Sequence, residues 1–310
     1  MLQFDAGIGP SSWSRDWRHR IVSFVPTGYN PKELKGKCMV LAGSTDRQDT
    51  TVTTTIETTL TLQGVELPVI RKGSGPQILM LHGGDGPVAH LPFVERLAEQ
   101  FEIIQPIHPG FAGTPIPEHF DNLQDLIFLY LDLIDSLDLS ETILMGFSMG
   151  GWAAAEIAVM NIRRFSKLVL VDSVGIKPGG RFDRDIADVF AISPAEHIRI
   201  SWHDASKAPD ISVMTDEELQ ILAANRIAHG LYTWEPYMHN PKLPYRLHRI
   251  DIPTLLIWGQ NDGVVTTSYA EAFRDMIPGA KMVVIPEACH APHVEQPEAF
   301  VKRFLEFASS

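Results

Sequence analysis

From residue 60 onward the chain alternates short apolar runs with amphipathic stretches. Residues 60–62 and 65–71 read as two strands around a Gln63-Gly64 turn. Residues 78–81 form a short continuous apolar run, the pattern of a strand buried on both faces. Residues 103–107, 143–147, 168–171, 254–258 and 282–285 read as further strands. Between them, 91–100, 121–137, 149–160, a stretch around 268–276 and 297–307 carry helical spacing. Two strands followed by strand–helix alternation predict an α/β fold. Its sheet is mostly parallel and eight-stranded, with an antiparallel start and helices on both faces.

One stretch breaks the alternation. Residues 176–250 hold no convincing strand and read as helices over 183–190, 194–202 and 215–232. Trp202, Tyr232, Trp234 and Tyr237 fall in it or at its edges. An insertion of this length is too long for a plain connection. It is expected to be a helical cap over one edge of a core made of residues 56–175 and 251–310.

Composition narrows the possibilities. The chain has 310 residues and a net charge of −12. Nucleic acid and anionic membranes both need a basic footprint, which this chain lacks. No apolar run is long enough to span a membrane. Residues 1–55 differ from the rest in having more basic than acidic side chains and no periodicity. They carry no apolar segment of the secretory kind, so they read as an extension or a misplaced start, with Met39 a later one, and a cytoplasmic location is expected. Cys38 and Cys289, the only cysteines, are too far apart in sequence to suggest a disulfide framework or a thiolate metal site.

Four groups of residues can carry chemistry. Gly146-Phe147-Ser148-Met149-Gly150 follows an apolar strand and opens a helix, the context that makes a glycine-framed serine a nucleophile at a sharp turn. The competing reading is a helix-capping serine between glycines. A serine hydroxyl needs a base. His290, directly after the last strand, is the candidate, with His293 its rival. An H-x-x-H metal pair is disfavoured because no third ligand accompanies it, so no metal is expected. Asp262, in the loop after strand 254–258, is placed to orient the histidine. Asp172, at the end of the preceding strand, is the alternative, and the order Ser, Asp, His favours Asp262. His82-Gly83-Gly84 follows another strand, and small residues there let backbone amides approach an oxyanion. Gly84 and Met149 are the expected donors. Phe147, Trp202, Trp234 and Tyr237 are candidate substrate contacts. His82, His108, His119 and the histidines of 176–250 are read as structural.

Together these motifs resemble those of α/β-hydrolase-fold serine hydrolases, over about residues 58–308. The resemblance implies a site at the strand C-termini, beneath a cap. A serine nucleophile argues against relatives that use aspartate, such as epoxide hydrolases and haloalkane dehalogenases. The expected activity is cofactor-free cleavage of a small-molecule carboxylic ester or related acyl compound. The alternative is hydrolysis of a carbon–carbon bond in ring-cleavage products, since Ser148-Met149-Gly150-Gly151 resembles that group. A lactonase, a thioesterase or a non-catalytic ligand-binding protein are further alternatives. Oligomeric state is not legible.

Overall fold

The Gln63-Gly64 turn, with both residues at positive φ, matches the twist of a two-residue hairpin. It joins Thr55–Leu62 (β1) to Val65–Gly73 (β2) in antiparallel register. The computed structural model describes residues 55–180 and 182–310. The expectations for residues 1–54 lie outside the described residues. β1 begins at Thr55, and its threonines stand on an exposed edge.

Six more strands complete one sheet: Gln77–Leu81 (β3), Glu102–Pro106 (β4), Thr142–Phe147 (β5), Phe165–Val171 (β6), Thr254–Gly259 (β7) and Lys281–Ile285 (β8). Their spatial order is β1-β2-β4-β3-β5-β6-β7-β8. β2 runs antiparallel to both β1 and β4, and every other pair is parallel. The expected antiparallel start and parallel body are both present.

The two-residue period of the strands sends alternate side chains to opposite faces. Ile143, Met145 and Phe147 of β5 meet one apolar cluster, shared by Pro92–Ala98 (α1) and the C-terminal helix through Phe93, Leu97, Phe300 and Phe304. Leu144 meets the other cluster, shared by Leu123–Ser136 (α2) and Met149–Met160 (α3). α2 begins with a capping box, Asn122 accepting from the Gln124 amide and Asp125 from the Asn122 amide. Within 176–250 lie Pro194–Ser201 (α4) and Asp216–Thr233 (α5), and beyond it Thr267–Met276 (α6), Pro292–Glu295 (α7) and Pro297–Ala308 (α8).

The helix expected over 183–190 does not form. Side chains satisfy the local backbone instead. Asp188 accepts from the Phe190 and Ala191 amides, while the Tyr237 hydroxyl accepts from Val189 and donates to the Ala187 carbonyl. Gly175, just before the insertion, forms a β-bridge with His239 inside it. Residues 243–250 then return over the core, with Leu243, Leu247 and Ile250 fully buried.

Candidate active site

Parallel strands place their C-terminal ends along one edge, and the candidate groups all leave the sheet there. β5 ends at Phe147, and Ser148 turns the chain into α3 with φ 49° and ψ −114°. That conformation is disfavoured for a side-chain-bearing residue. Its neighbours explain how it is tolerated. A Cβ at Gly146 would overlap the Gly150 carbonyl, and one at Gly150 would overlap the carbonyls of Leu81 and His82. The turn is held by Ser148 N–H donating to the Val171 carbonyl at 2.9 Å.

The Ser148 side chain does not cap α3, as the competing reading required. Its Oγ lies 3.0 Å from His290 Nε2. His290 Nδ1 donates to Asp262 Oδ2 at 2.8 Å. Asp262 Oδ1 accepts from the amides of Val264 and Val265, at 2.8 and 3.1 Å. The carboxylate is thereby locked at both oxygens. The His290 side chain is 15% exposed, and its partial burial favours the neutral form, but the charge and hydrogen bond of Asp262, with help from Asp85, lift its pKa above the usual 6.5.

The rivals lie elsewhere. His293 is packed among Phe93, Phe147 and Phe300, and burial, with His290 nearby, pushes its pKa down to about 3. Asp172 Oδ1 accepts from the Gly259 amide at 2.9 Å. Its other oxygen has no partner, and burial followed by the proximity of Asp262 raises its pKa well above the carboxylate range. Asp172, Asp262 and His290 do come together. Both Asp262 oxygens and the His290 Nδ1 proton are already committed to protein partners, an arrangement suited to orienting the imidazole rather than to chelation. Cys289 donates to the Asn261 carbonyl, and burial raises its thiol pKa to about 12, so it is inert.

The glycine loop after β3 is held by its histidine. His82 Nδ1 donates to the Gly83 carbonyl at 2.8 Å and Nε2 accepts from the His108 amide at 3.1 Å. The ring stacks on His108 at 3.6 Å, and burial drives its pKa down to about 3. It is structural, as read. Gly83 comes close to the Ser148 side chain, since a Cβ there would lie 3.3 Å from the Ser148 Cβ. Met149 opens α3, where an amide has no acceptor within the helix.

The candidate substrate contacts fare differently. Phe147 is only 3% exposed and packs beneath the turn against Phe93 and His293. The expectation of a substrate contact is corrected: Phe147 is a packing residue in the cluster of Phe93 and Phe300. Trp234 is 61% exposed, touching Phe190 and Tyr237 edge-on. The Tyr237 hydroxyl is spent on the 187–189 backbone. Trp202 is half-buried at the end of α4. The sequence reading missed His229 on α5, whose ring presses on Gly84 so closely that a Cβ there would overlap its Nδ1 and Cε1. A lone histidine in a helix carries no sequence signal for this.

The model of the alpha/beta hydrolase family matches residues 78–303. The chain belongs to that family. Among its family relatives is a putative 2-succinyl-6-hydroxy-2,4-cyclohexadiene-1-carboxylate synthase of Bacillus subtilis, 26% identical over 80% of this chain and 96% of the relative. A pimeloyl-[acyl-carrier protein] methyl ester esterase of Vibrio vulnificus is 24% identical over 76% of this chain and 96% of its own length. Among solved structures, a 2-hydroxy-6-oxo-6-phenylhexa-2,4-dienoate hydrolase from Rhodococcus superposes with a TM-score of 0.67 at 21% identity, covering 84% of this chain and all of that one. By family, this protein is a hydrolase. Among the described residues, no helix is long and apolar enough to cross a membrane.

Proposed function

We propose that this protein is a serine hydrolase that cleaves a small carboxylic ester or related acyl compound. The supporting observation is the continuous relay from Ser148 Oγ through His290 to Asp262, at 3.0 and 2.8 Å. Ser148 attacks the acyl carbonyl while His290 Nε2 takes its proton. Asp262 holds the imidazole in the tautomer with Nδ1 protonated and stabilises the imidazolium. The Gly84 and Met149 amides receive the oxyanion. His290 returns the proton to the leaving alcohol, giving an acyl-enzyme. Water, deprotonated by His290, releases the acid and restores Ser148. The scheme calls on no cofactor. Residues 176–250 serve as a cap that shapes substrate choice.

Ester cleavage is favoured over carbon–carbon cleavage of a carboxylated dienone. The ester esterase relative agrees with this choice. The second reading draws on the Ser-Met-Gly-Gly run and the dienoate hydrolase likeness. A fluorophosphonate probe is expected to label Ser148, with labelling and p-nitrophenyl ester turnover both lost in Ser148→Ala. Labelling at another serine overturns the assignment. A kcat/KM on a ring-cleavage dienone well above that on every ester would favour the second reading.

A further inference from the structure

Asp172 follows β6 beside the triad, in a left-handed backbone conformation with φ 41° that few side-chain-bearing residues adopt. Backbone and side chain both hold it against β7. Its amide donates to the Ile257 carbonyl at 3.1 Å, and its Oδ1 accepts from the Gly259 amide at 2.9 Å. The residue is 1% exposed, and its Oδ2 is shielded from solvent with no hydrogen-bond partner. An oxygen of Asp172, an oxygen of Asp262 and a ring nitrogen of His290 lie within 4.8 Å of one another. Asp262 has room for one more donor. A carboxylate offers about four acceptor positions, and the Val264 and Val265 amides and His290 Nδ1 fill three of them.

We propose that Asp172 is a positioning residue: it stays a neutral carboxylic acid and donates its proton to Asp262, filling the open acceptor position and fixing the carboxylate that orients His290. The role rests on the serine-hydrolase reading above. The titratable groups that face Asp172 are Asp262 after β7, His290 and Cys289 after β8, and Glu295 of α7. Two of them are carboxylates and none is a fixed cation, so an ionised Asp172 would stand unpaired among like charges. Two carboxyl groups so placed do not both ionise. Burial is the largest cause that raises the Asp172 pKa, followed by the charge of Asp262, and the two outweigh the opposing hydrogen bond from Gly259. The proton on Asp172 therefore turns an orphaned buried oxygen into a donor, and it offsets part of the negative charge that Asp262 turns toward the imidazole.

Asp172→Asn keeps a donor of the same shape, tolerates the left-handed backbone and does not titrate. Asp172→Ala removes the donor. Thermal unfolding of the wild type and Asp172→Asn across acidic to neutral pH reads the proton without reference to catalysis. A carboxyl whose folded pKa is raised above its ordinary 3.8 loses stability as pH climbs from that value toward the folded one. Asp172→Asn has no such loss, so its Tm should gain on the wild type as pH rises. A Tm difference that stays flat, or that moves in favour of the wild type, overturns the proposal. In turnover of a p-nitrophenyl ester, Asp172→Asn should keep kcat within about threefold of the wild type, and Asp172→Ala should lose about tenfold or more. The acidic limb of kcat/KM should move to higher pH in Asp172→Ala alone, because Asp262 then pulls harder on the imidazole proton. Equal losses in both variants with unmoved limbs overturn the positioning role, and if Asp172→Ala fails to fold, the Asp172→Asn comparison decides. A flat Tm difference in a protein whose Ser148 is labelled and active sinks this proposal only. If no ester is turned over and Ser148 stays unlabelled, the serine-hydrolase reading fails and the positioning role with it.

Discussion

Ser148 occupies a backbone conformation that a side-chain-bearing residue adopts only when its surroundings enforce it. The enforcement is steric, through glycines at 146 and 150 whose hydrogens face neighbouring carbonyls. The same residue scale separates two histidines three positions apart. His290 has a carboxylate partner and a raised pKa, whereas His293 has aromatic neighbours and a lowered one. As a base, His290 must be neutral, so activity should fall as pH drops through its pKa. We expect the acidic limb of kcat/KM to lie above 6.5. Asp262→Asn should shift that limb to lower pH and reduce kcat by about three to four orders of magnitude, the scale of a mis-set tautomer. Asp172 meets the pair without bonding the imidazole, so Asp172→Asn should be far milder. A pH–rate series on the three proteins checks both, and a larger loss at Asp172 would reassign the acid.

At the scale of elements, the site depends on how closely strand ends and loops approach. Gly259 closes β7, and a Cβ there would overlap the Cys289 carbonyl far inside van der Waals contact. Cys289 precedes His290, so relief of that overlap has to move the histidine loop. Gly259→Ala is expected to cost about 3 kcal/mol or more, as overpacking against backbone does. Urea unfolding measures that cost, and activity should fall further than the folded fraction accounts for. If stability and turnover are both unchanged, the loop is softer than its packing implies. The irregular 183–190 stretch makes a related point. Asp188 and Tyr237 offer its amides and carbonyls side-chain partners, and a helix there would have to forgo them.

At the scale of the whole molecule, one buried carboxylate joins the insertion to the histidine loop. Glu295, 2% exposed, accepts from the amides of His203 and Asp204 through one oxygen and from Cys289 through the other, at 2.7–3.0 Å. The end of α4 reaches the same loops directly. The Ile200 carbonyl accepts from Gly263, and the Ser201 carbonyl from His290. The cap we propose is thus hydrogen-bonded to the loops bearing both Asp262 and His290. Glu295→Ala leaves three amides unpaired and should cost about 3 kcal/mol on the usual scale of a lost hydrogen bond. Chemical denaturation checks the stability. A kcat that falls while KM holds would show that the link positions His290 rather than the substrate.

Much of this was determined by the sequence alone, because it depends on short-range physics. Strand and helix periods, the glycines around Ser148 and the apolar run before it are local patterns, and they specify a sharp strand-to-helix turn wherever the chain goes. The order of Ser148, Asp262 and His290 pointed to the triad for the same reason, since each follows its own strand. The tertiary structure alone decided which histidine meets Ser148 Oγ across 142 positions of chain, and that Phe147 packs against the other, His293. It alone set His229 of α5 over Gly84. These outcomes rest on parallel strands delivering their ends to one edge and on a helix from the insertion docking there. No local pattern encodes such contacts, because the partner's position is fixed by the packing of the whole sheet.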